Sequence, residues 1–254
     1  MTFIRADFHS KELEMSTSAQ VLLPDDRALS RVRVVYLLHG LSDNCTGWLR
    51  RTAVERYAQK YGVAVVMPEV QRSFYTDMKY GINYFSYIYK ELPEIMHRLF
   101  SLPVSAEKSY VMGLSMGGYG ALKCMLTDPD RYAGCAAFSS VADLAWSMNN
   151  RYDDAHRHDE FTAIFGDGYA LPDTENLFFL ANRCAEEGKK PQLFITCGES
   201  DSLREQNERL VSHLNTLGFA PCYEEWPGDH TWEFWDVSVK KAFDYFFSKK
   251  KARA

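Results

Sequence analysis

KSYVMGLSMGGYGAL, residues 108–122, opens as a short apolar strand, reaches Gly113-Leu114-Ser115-Met116-Gly117, and passes straight into a helix rich in small residues. That is the strand–turn–helix context a G-x-S-x-G nucleophile elbow requires. A sharp turn of this kind forces the serine into a strained backbone conformation, and only Cβ-free neighbours at positions 113 and 117 leave room for it. Ser115 is therefore expected at the apex, exposed. Because the helix begins one residue later, the Met116 N–H has no intrahelical acceptor and is a candidate oxyanion donor. Gly118 and Gly120 are expected to let the helix pack close to the sheet. The glycines do not form a dinucleotide fingerprint, since the second glycine of G-x-G-x-x-G would stand where Ser115 is.

Working outward, residues 2–23 alternate loosely and predict two half-exposed antiparallel strands joined near Ser10-Lys11. Residues 32–38 and 63–67 are continuous β-branched and apolar runs, as expected of strands buried on both faces. The first ends in His39-Gly40-Leu41, where enzymes with this elbow carry their second oxyanion donor, assigned to the Leu41 N–H. His39 is expected to orient this loop. A helix over 48–61 capped by Gly62, and another over 86–102 that tolerates Pro93 near its start or at a kink, complete the first half. Between them, residues 69–89 concentrate Phe74, Tyr75, Tyr80, Tyr84, Phe85, Tyr87 and Tyr89. Such rings beyond a strand's carboxyl end can wall a pocket, and Trp48, Tyr75 and Trp146 are the candidate lining residues. A core face or a subunit contact is the competing place for them, and the latter would make a homo-oligomer.

After the elbow, apolar strands are predicted over 132–139, 192–197 and 220–226, with helices over 202–217 and from about 233 to 247. The alternation means a mostly parallel sheet covered by helices on both faces. Residues 141–190 are too many for a simple connection and predict a small cap-like insertion within a single domain spanning 1–254. Asp153-Asp154-Ala155-His156-Arg157-His158-Asp159-Glu160 contains metal-ligand residue types, but lacks paired helical histidines or thiolates and reads as a solvated acidic loop.

A serine hydroxyl needs a base, and the base an acid, in the chain order serine, acid, histidine. Of the later histidines, His230 lies in the turn-rich Pro227-Gly228-Asp229-His230 before the last helix, whereas His213 falls mid-helix. Asp201, in the turn after the 192–197 strand, is the favoured acid. Glu199 on the same turn and Asp143 after the preceding strand are the alternatives.

With 254 residues, 46% hydrophobic content and a net charge of −5, the chain is long enough for one large α/β core and offers no general attraction to nucleic acid or anionic membrane. The basic cluster at 249–253 reads as a solvated helix end. The six cysteines show no C-x-x-C spacing, so no metal or cofactor and no disulfide framework is expected. Free thiols in apolar stretches, and an N-terminus without a continuous apolar core, point to a cytoplasmic protein, and the serine, acid and histidine expected above point to a small-molecule ester as its partner.

These residues together resemble the esterase family of α/β-hydrolases that holds esterase D (S-formylglutathione hydrolase), feruloyl and acetyl-xylan esterases, and the mycolyltransferases. The resemblance covers essentially the whole chain, with GLSMGGYGAL its most specific element. It is most similar to small bacterial tributyrin esterases, through HGLSDNCTGWLRR, RSFYTDMKYG and WPGDHTWEFWD. The resemblance implies Ser115, Asp201 and His230 as a catalytic triad and a preference for short acyl chains. Thioester or carbohydrate acetyl and feruloyl ester hydrolysis, acyl transfer to another acceptor, and a silent hydrolase-fold binding protein are the competing functions.

Overall fold

Strands whose every position is apolar must be covered on both faces, and in the computed structural model they are. The structure describes residues 1–150, 155–169 and 171–248. The elements run β1 (Thr2–Ser10), β2 (Met15–Leu23), β3 (Arg33–Leu38), α1 (Gly47–Arg51), α2 (Val54–Tyr61), β4 (Val63–Pro68), α3 (Tyr84–Ser86), α4 (Leu92–Phe100), β5 (Ser109–Leu114) and α5 (Met116–Thr127). They continue as β6 (Gly134–Phe138), α6 (Leu144–Asn150), α7 (Ala155–Phe165), α8 (Leu177–Glu186), β7 (Leu193–Gly198), α9 (Arg204–Thr216), β8 (Cys222–Trp226) and α10 (Trp232–Phe247). This is the α/β-hydrolase arrangement: an eight-stranded sheet in the order β1-β2-β4-β3-β5-β6-β7-β8. The β1–β2 and β2–β4 pairs are antiparallel and the rest parallel.

The period-two geometry of the strands divides the apolar residues between two cores. Val35, Leu37, Val63, Val65 and Met112 face α2 and α10 through Val54, Ala58, Val239 and Phe243. Val34, Tyr36, Leu38, Val66 and Val111 face the other way, toward Ile95, Met96, Leu122, Met125, Leu180 and Leu210. The strand order reverses between β3 and β5: the chain steps from β3 outward to β4, then returns to the other side of β3. Their registered ends, Leu38 opposite Gly113, bring the two following loops together at the crevice where sheets of this kind open.

Several boundaries differ from the sequence expectation for local reasons. The helix expected over 48–61 is two, because Thr52 closes α1 with its N–H on the Trp48 carbonyl and its hydroxyl accepts the Val54 N–H that starts α2. Gly62 does end α2, at φ 61°. A π-type turn over Tyr87–Glu91 precedes α4. Pro93, which has no N–H to donate, then falls in the first turn of α4. Of the aromatic stretch, Phe74, Tyr75, Tyr84 and Tyr87 are buried in the core and Tyr80 is exposed. Between β6 and β7, α8 packs against α5. No helix among the described residues is long and apolar enough to cross a membrane.

Candidate active site

The turn after β5 carries Ser115 at φ 53°, ψ −116°, a conformation L side chains rarely adopt. It persists because its surroundings over-determine it. The Ser115 N–H donates to the Phe138 carbonyl at 2.9 Å, and the Ser115 carbonyl accepts the Tyr119 and Val141 N–H groups at 3.1 and 3.2 Å. A Cβ on Gly113 would lie 2.2 Å from the Gly117 carbonyl oxygen, and one on Gly117 would lie 2.5 Å from that of Leu38. Both obstacles are backbone and cannot step aside. Gly113→Ala or Gly117→Ala should therefore destabilise the fold by about 3 kcal/mol or more. For a chain of this size that means a thermal midpoint lower by roughly 6–12 °C in calorimetry. An unchanged midpoint would show that the elbow is less tightly packed than its geometry requires. Gly120 differs from the sequence expectation: its bare face meets the Tyr75 ring, 2.5 Å from a hypothetical Cβ, and not the sheet.

Three loops complete the arrangement. The His230 Nε2 lies 3.1 Å from the Ser115 Oγ, and its Nδ1 lies 2.9 Å from Asp201 Oδ2. Asp201 is buried, and its other oxygen accepts the Leu203 N–H at 2.8 Å. Burial pushes this carboxyl up, but hydrogen bonds from His230, Ser139 and Leu203 outweigh it and hold Asp201 below the ordinary aspartate value. Glu199 is exposed on the same turn. Asp143 caps α6, accepting the Trp146 N–H at 2.9 Å, and pairs with Arg209 at 3.2 Å. His213 bonds Asn182 on the helical layer. Of the alternatives left by the sequence, Asp201 alone among the three acids is bonded to His230.

The loop after β3 lies against the elbow, with Leu41 and Met116 both lining the cleft. Among the described residues neither N–H has a hydrogen-bond acceptor. His39 is buried and spans the loop: Nδ1–H donates to the Gly40 carbonyl at 2.8 Å, while Nε2 accepts the Val70 N–H at 3.2 Å. Both ring nitrogens are engaged by backbone, and the Glu69 carboxylate lies 3.5 Å from Nε2, so the ring is held in place on every polar side.

The cleft above Ser115 has a volume of about 680 Å³. Its apolar lining includes Phe74, Leu114, Val141 and Leu203, and its polar rim includes Asp43, Arg51, Thr231 and Glu233 beside Trp232. The pocket residues expected from the sequence need correcting, because none of Trp48, Tyr75 and Trp146 lines this cleft. Trp48 is fully buried, edge-on to Trp232 at 5.3 Å, with its indole N–H on the Leu38 carbonyl at 3.0 Å. Tyr75 is also fully buried, and its hydroxyl donates to the His39 carbonyl at 2.9 Å. Trp146 stands on α6 beneath the Arg209 guanidinium, 5.4 Å away. Phe74 is a residue of the 69–89 stretch that borders the cleft; it is itself fully buried, and its ring packs against Tyr119, Phe161 and Phe165.

Ser139 and Trp235 carry no motif that marks them in the sequence. The Trp235 ring stands perpendicular to His230 at 4.9 Å and donates its indole N–H to the Ser139 Oγ at 3.2 Å. A polar Ser139-Ser140 pair directly after an apolar strand was the available signal. Of the acidic stretch considered for a metal, Asp153 and Asp154 lie outside the described residues, as does the basic cluster at 249–253. Glu160 forms an ion pair with Arg72.

This architecture, with a serine elbow at the switch point of a mostly parallel sheet, is that of an α/β-hydrolase. The sequence profile of the family described as "Putative esterase" matches residues 10–246, and the chain belongs to that family. The chain is 30% identical to an acetyl esterase of Caldicellulosiruptor saccharolyticus, over 96% of this chain and 98% of that one. Among solved structures it resembles FphF, the substrate-bound fluorophosphonate-binding serine hydrolase F of Staphylococcus aureus. That match has a TM-score of 0.88 and 30% identity, covering 98% of this chain and 99% of the other. It also resembles the S-formylglutathione hydrolase FrmB of Staphylococcus aureus in its apoenzyme form. The TM-score is 0.85 at 31% identity, with 96% and 98% covered. The chain is thus an esterase-type hydrolase.

Proposed function

We propose that the protein is a serine carboxylesterase that hydrolyses short-chain acyl esters, acetyl to butyryl, through an acyl-enzyme. The observation that carries this reading is the unbroken hydrogen-bonded line Ser115–His230–Asp201 beside the Leu41 and Met116 N–H groups, which have no acceptor among the described residues. Ser115 Oγ attacks the ester carbonyl carbon as its proton passes to His230 Nε2. Asp201 stabilises the resulting imidazolium through Nδ1–H. The carbonyl oxygen, now an oxyanion, is held by the Leu41 and Met116 N–H groups. Collapse of the tetrahedral intermediate breaks the bond to the alkoxy oxygen, which leaves as the alcohol with the proton from Nε2. Water, deprotonated by His230, then attacks the acyl-serine and releases the acid.

The length limit follows from the packing around Phe74, which borders the cleft and is itself fully buried. Each methylene that the apolar lining can bury contributes about 0.8 kcal/mol, and one that meets a wall contributes nothing. A ring backed by three further buried aromatics cannot swing aside. We expect kcat/KM on p-nitrophenyl esters to rise from acetyl to about butyryl and to fall by octanoyl. Rates still climbing at eight carbons would replace the closed pocket with an open groove. A thioester reading has the S-formylglutathione hydrolase neighbour in its favour. S-formylglutathione assayed beside p-nitrophenyl acetate separates the two, and a higher kcat/KM for the thioester would reverse the order given to them.

A further inference from the structure

A trans peptide unit is planar, so the direction of an N–H is fixed once the carbonyl of the same unit is held. The Leu41 N–H shares its peptide unit with the Gly40 carbonyl, which the His39 imidazole holds at 2.8 Å. The preceding unit presents the His39 carbonyl to the Tyr75 hydroxyl at 2.9 Å, and the one before presents the Leu38 carbonyl to the Trp48 indole at 3.0 Å. Three consecutive peptide planes leading to the oxyanion donor are thus pinned from behind by buried rings.

Tyr75 differs from the other two in coming from a strained turn. Phe74 and Tyr75 stand at φ 49° and 52°, a pairing that side chains with a Cβ adopt only under compulsion. A buried ion pair that the proposed reaction does not use is bonded to this turn. Lys123, on α5 and 1% exposed, donates from Nζ to the Tyr75 carbonyl at 3.0 Å and pairs with Glu175. Glu175 in turn accepts the Thr76 hydroxyl at 2.9 Å and the Tyr119 hydroxyl at 2.8 Å. On its other side the Tyr75 ring lies against the bare backbone of Gly120. One rigid ring therefore spans from α5, the helix that carries the Met116 donor at its start, to the loop that carries the Leu41 donor.

We propose that Tyr75, braced by the Lys123–Glu175 pair, is a positioning residue that sets the oxyanion loop against the nucleophile elbow. This rests on reading the Leu41 N–H as an oxyanion donor. Tyr75→Phe keeps the ring and removes only the hydroxyl. On p-nitrophenyl butyrate it should lower kcat roughly 10- to 30-fold with KM within about twofold. Affinity for a trifluoromethyl ketone, which forms a tetrahedral oxyanion on the serine, should fall by the same factor. Wild-type kcat and wild-type adduct affinity in Tyr75→Phe would overturn the proposal. The double variant Lys123→Met/Glu175→Leu removes the pair without leaving a lone buried charge, so it should fold. It should lose kcat in the same direction, and an unchanged kcat there would overturn the bracing. Leu41→Pro deletes the donor itself and should lose about 100-fold or more in kcat. Full activity in Leu41→Pro would mean that the oxyanion reading has failed. Loss in Leu41→Pro with none in Tyr75→Phe would mean that the positioning inference alone has failed.

Discussion

Ser115→Ala should show no labelling by a fluorophosphonate probe that labels the wild type, and its kcat should fall by roughly 10⁴- to 10⁶-fold. The size of the effect follows from the uniqueness of the oxygen. Ser42 and Thr231 also line the cleft, but His230, the proposed base, is bonded to Ser115 Oγ, 3.1 Å away. Without that oxygen the proposed covalent intermediate cannot form, and what survives is whatever the proposed oxyanion donors do for a water molecule. Backbone strain adds a second expectation. Alanine at φ 53° retains the same unfavourable geometry, so stability should hardly change while activity is lost. Equal labelling of wild type and Ser115→Ala would move the nucleophile elsewhere.

Asp201→Asn should lower kcat by about 10⁴-fold with little change in KM. The side chain keeps its shape, and the Leu203 N–H can still reach an oxygen. What changes is the proton on His230. A carboxylate accepts from Nδ1 and leaves Nε2 bare to take the serine proton; an amide N–H turned toward Nδ1 would place the ring proton on Nε2 instead. The control is Asp143→Asn, since Asp143 is committed to Arg209 and the α6 cap and should leave kcat unchanged. Retained activity in Asp201→Asn together with loss in Asp143→Asn would transfer the acid to the earlier strand. Both variants can be read in one steady-state series on p-nitrophenyl butyrate.

The elbow, the two buried strands beside it and the order serine, aspartate, histidine could be read in the residues because each depends on short-range chemistry. Gly113 and Gly117 flank a turn that has no room for side chains, and Asp201 and His230 fall in turns directly after strands. The pocket wall could not be read that way. Phe74 and Tyr75 are adjacent, aromatic and both fully buried, yet one borders the cleft and the other bonds the His39 carbonyl behind the Leu41 loop. Which ring goes where is set by two successive positive φ values and by Lys123 on a helix 48 residues away, and neither leaves a periodic trace. The place of Trp48 is hidden in the sequence for a related reason: a tryptophan beside a His-Gly turn suits a pocket rim and a buried carbonyl clasp equally well, and its partner, the Leu38 carbonyl, has no sequence signature. Ser139 is not legible in the sequence because its bond is to Trp235, 96 positions further on.

The separations along the chain bear on how activity returns after denaturation. Ser115 and His230 are 115 residues apart, and their bond exists only when β5, β6, β7 and β8 are all in register. Contacts of that range close late, because the loop entropy must be met before they return anything. A refolding chain should therefore recover its helical circular dichroism well before it becomes reactive toward a fluorophosphonate. Probe labelling then serves as a clock for the last long-range step, and a chain cut ahead of β8 should keep Ser115 but never react.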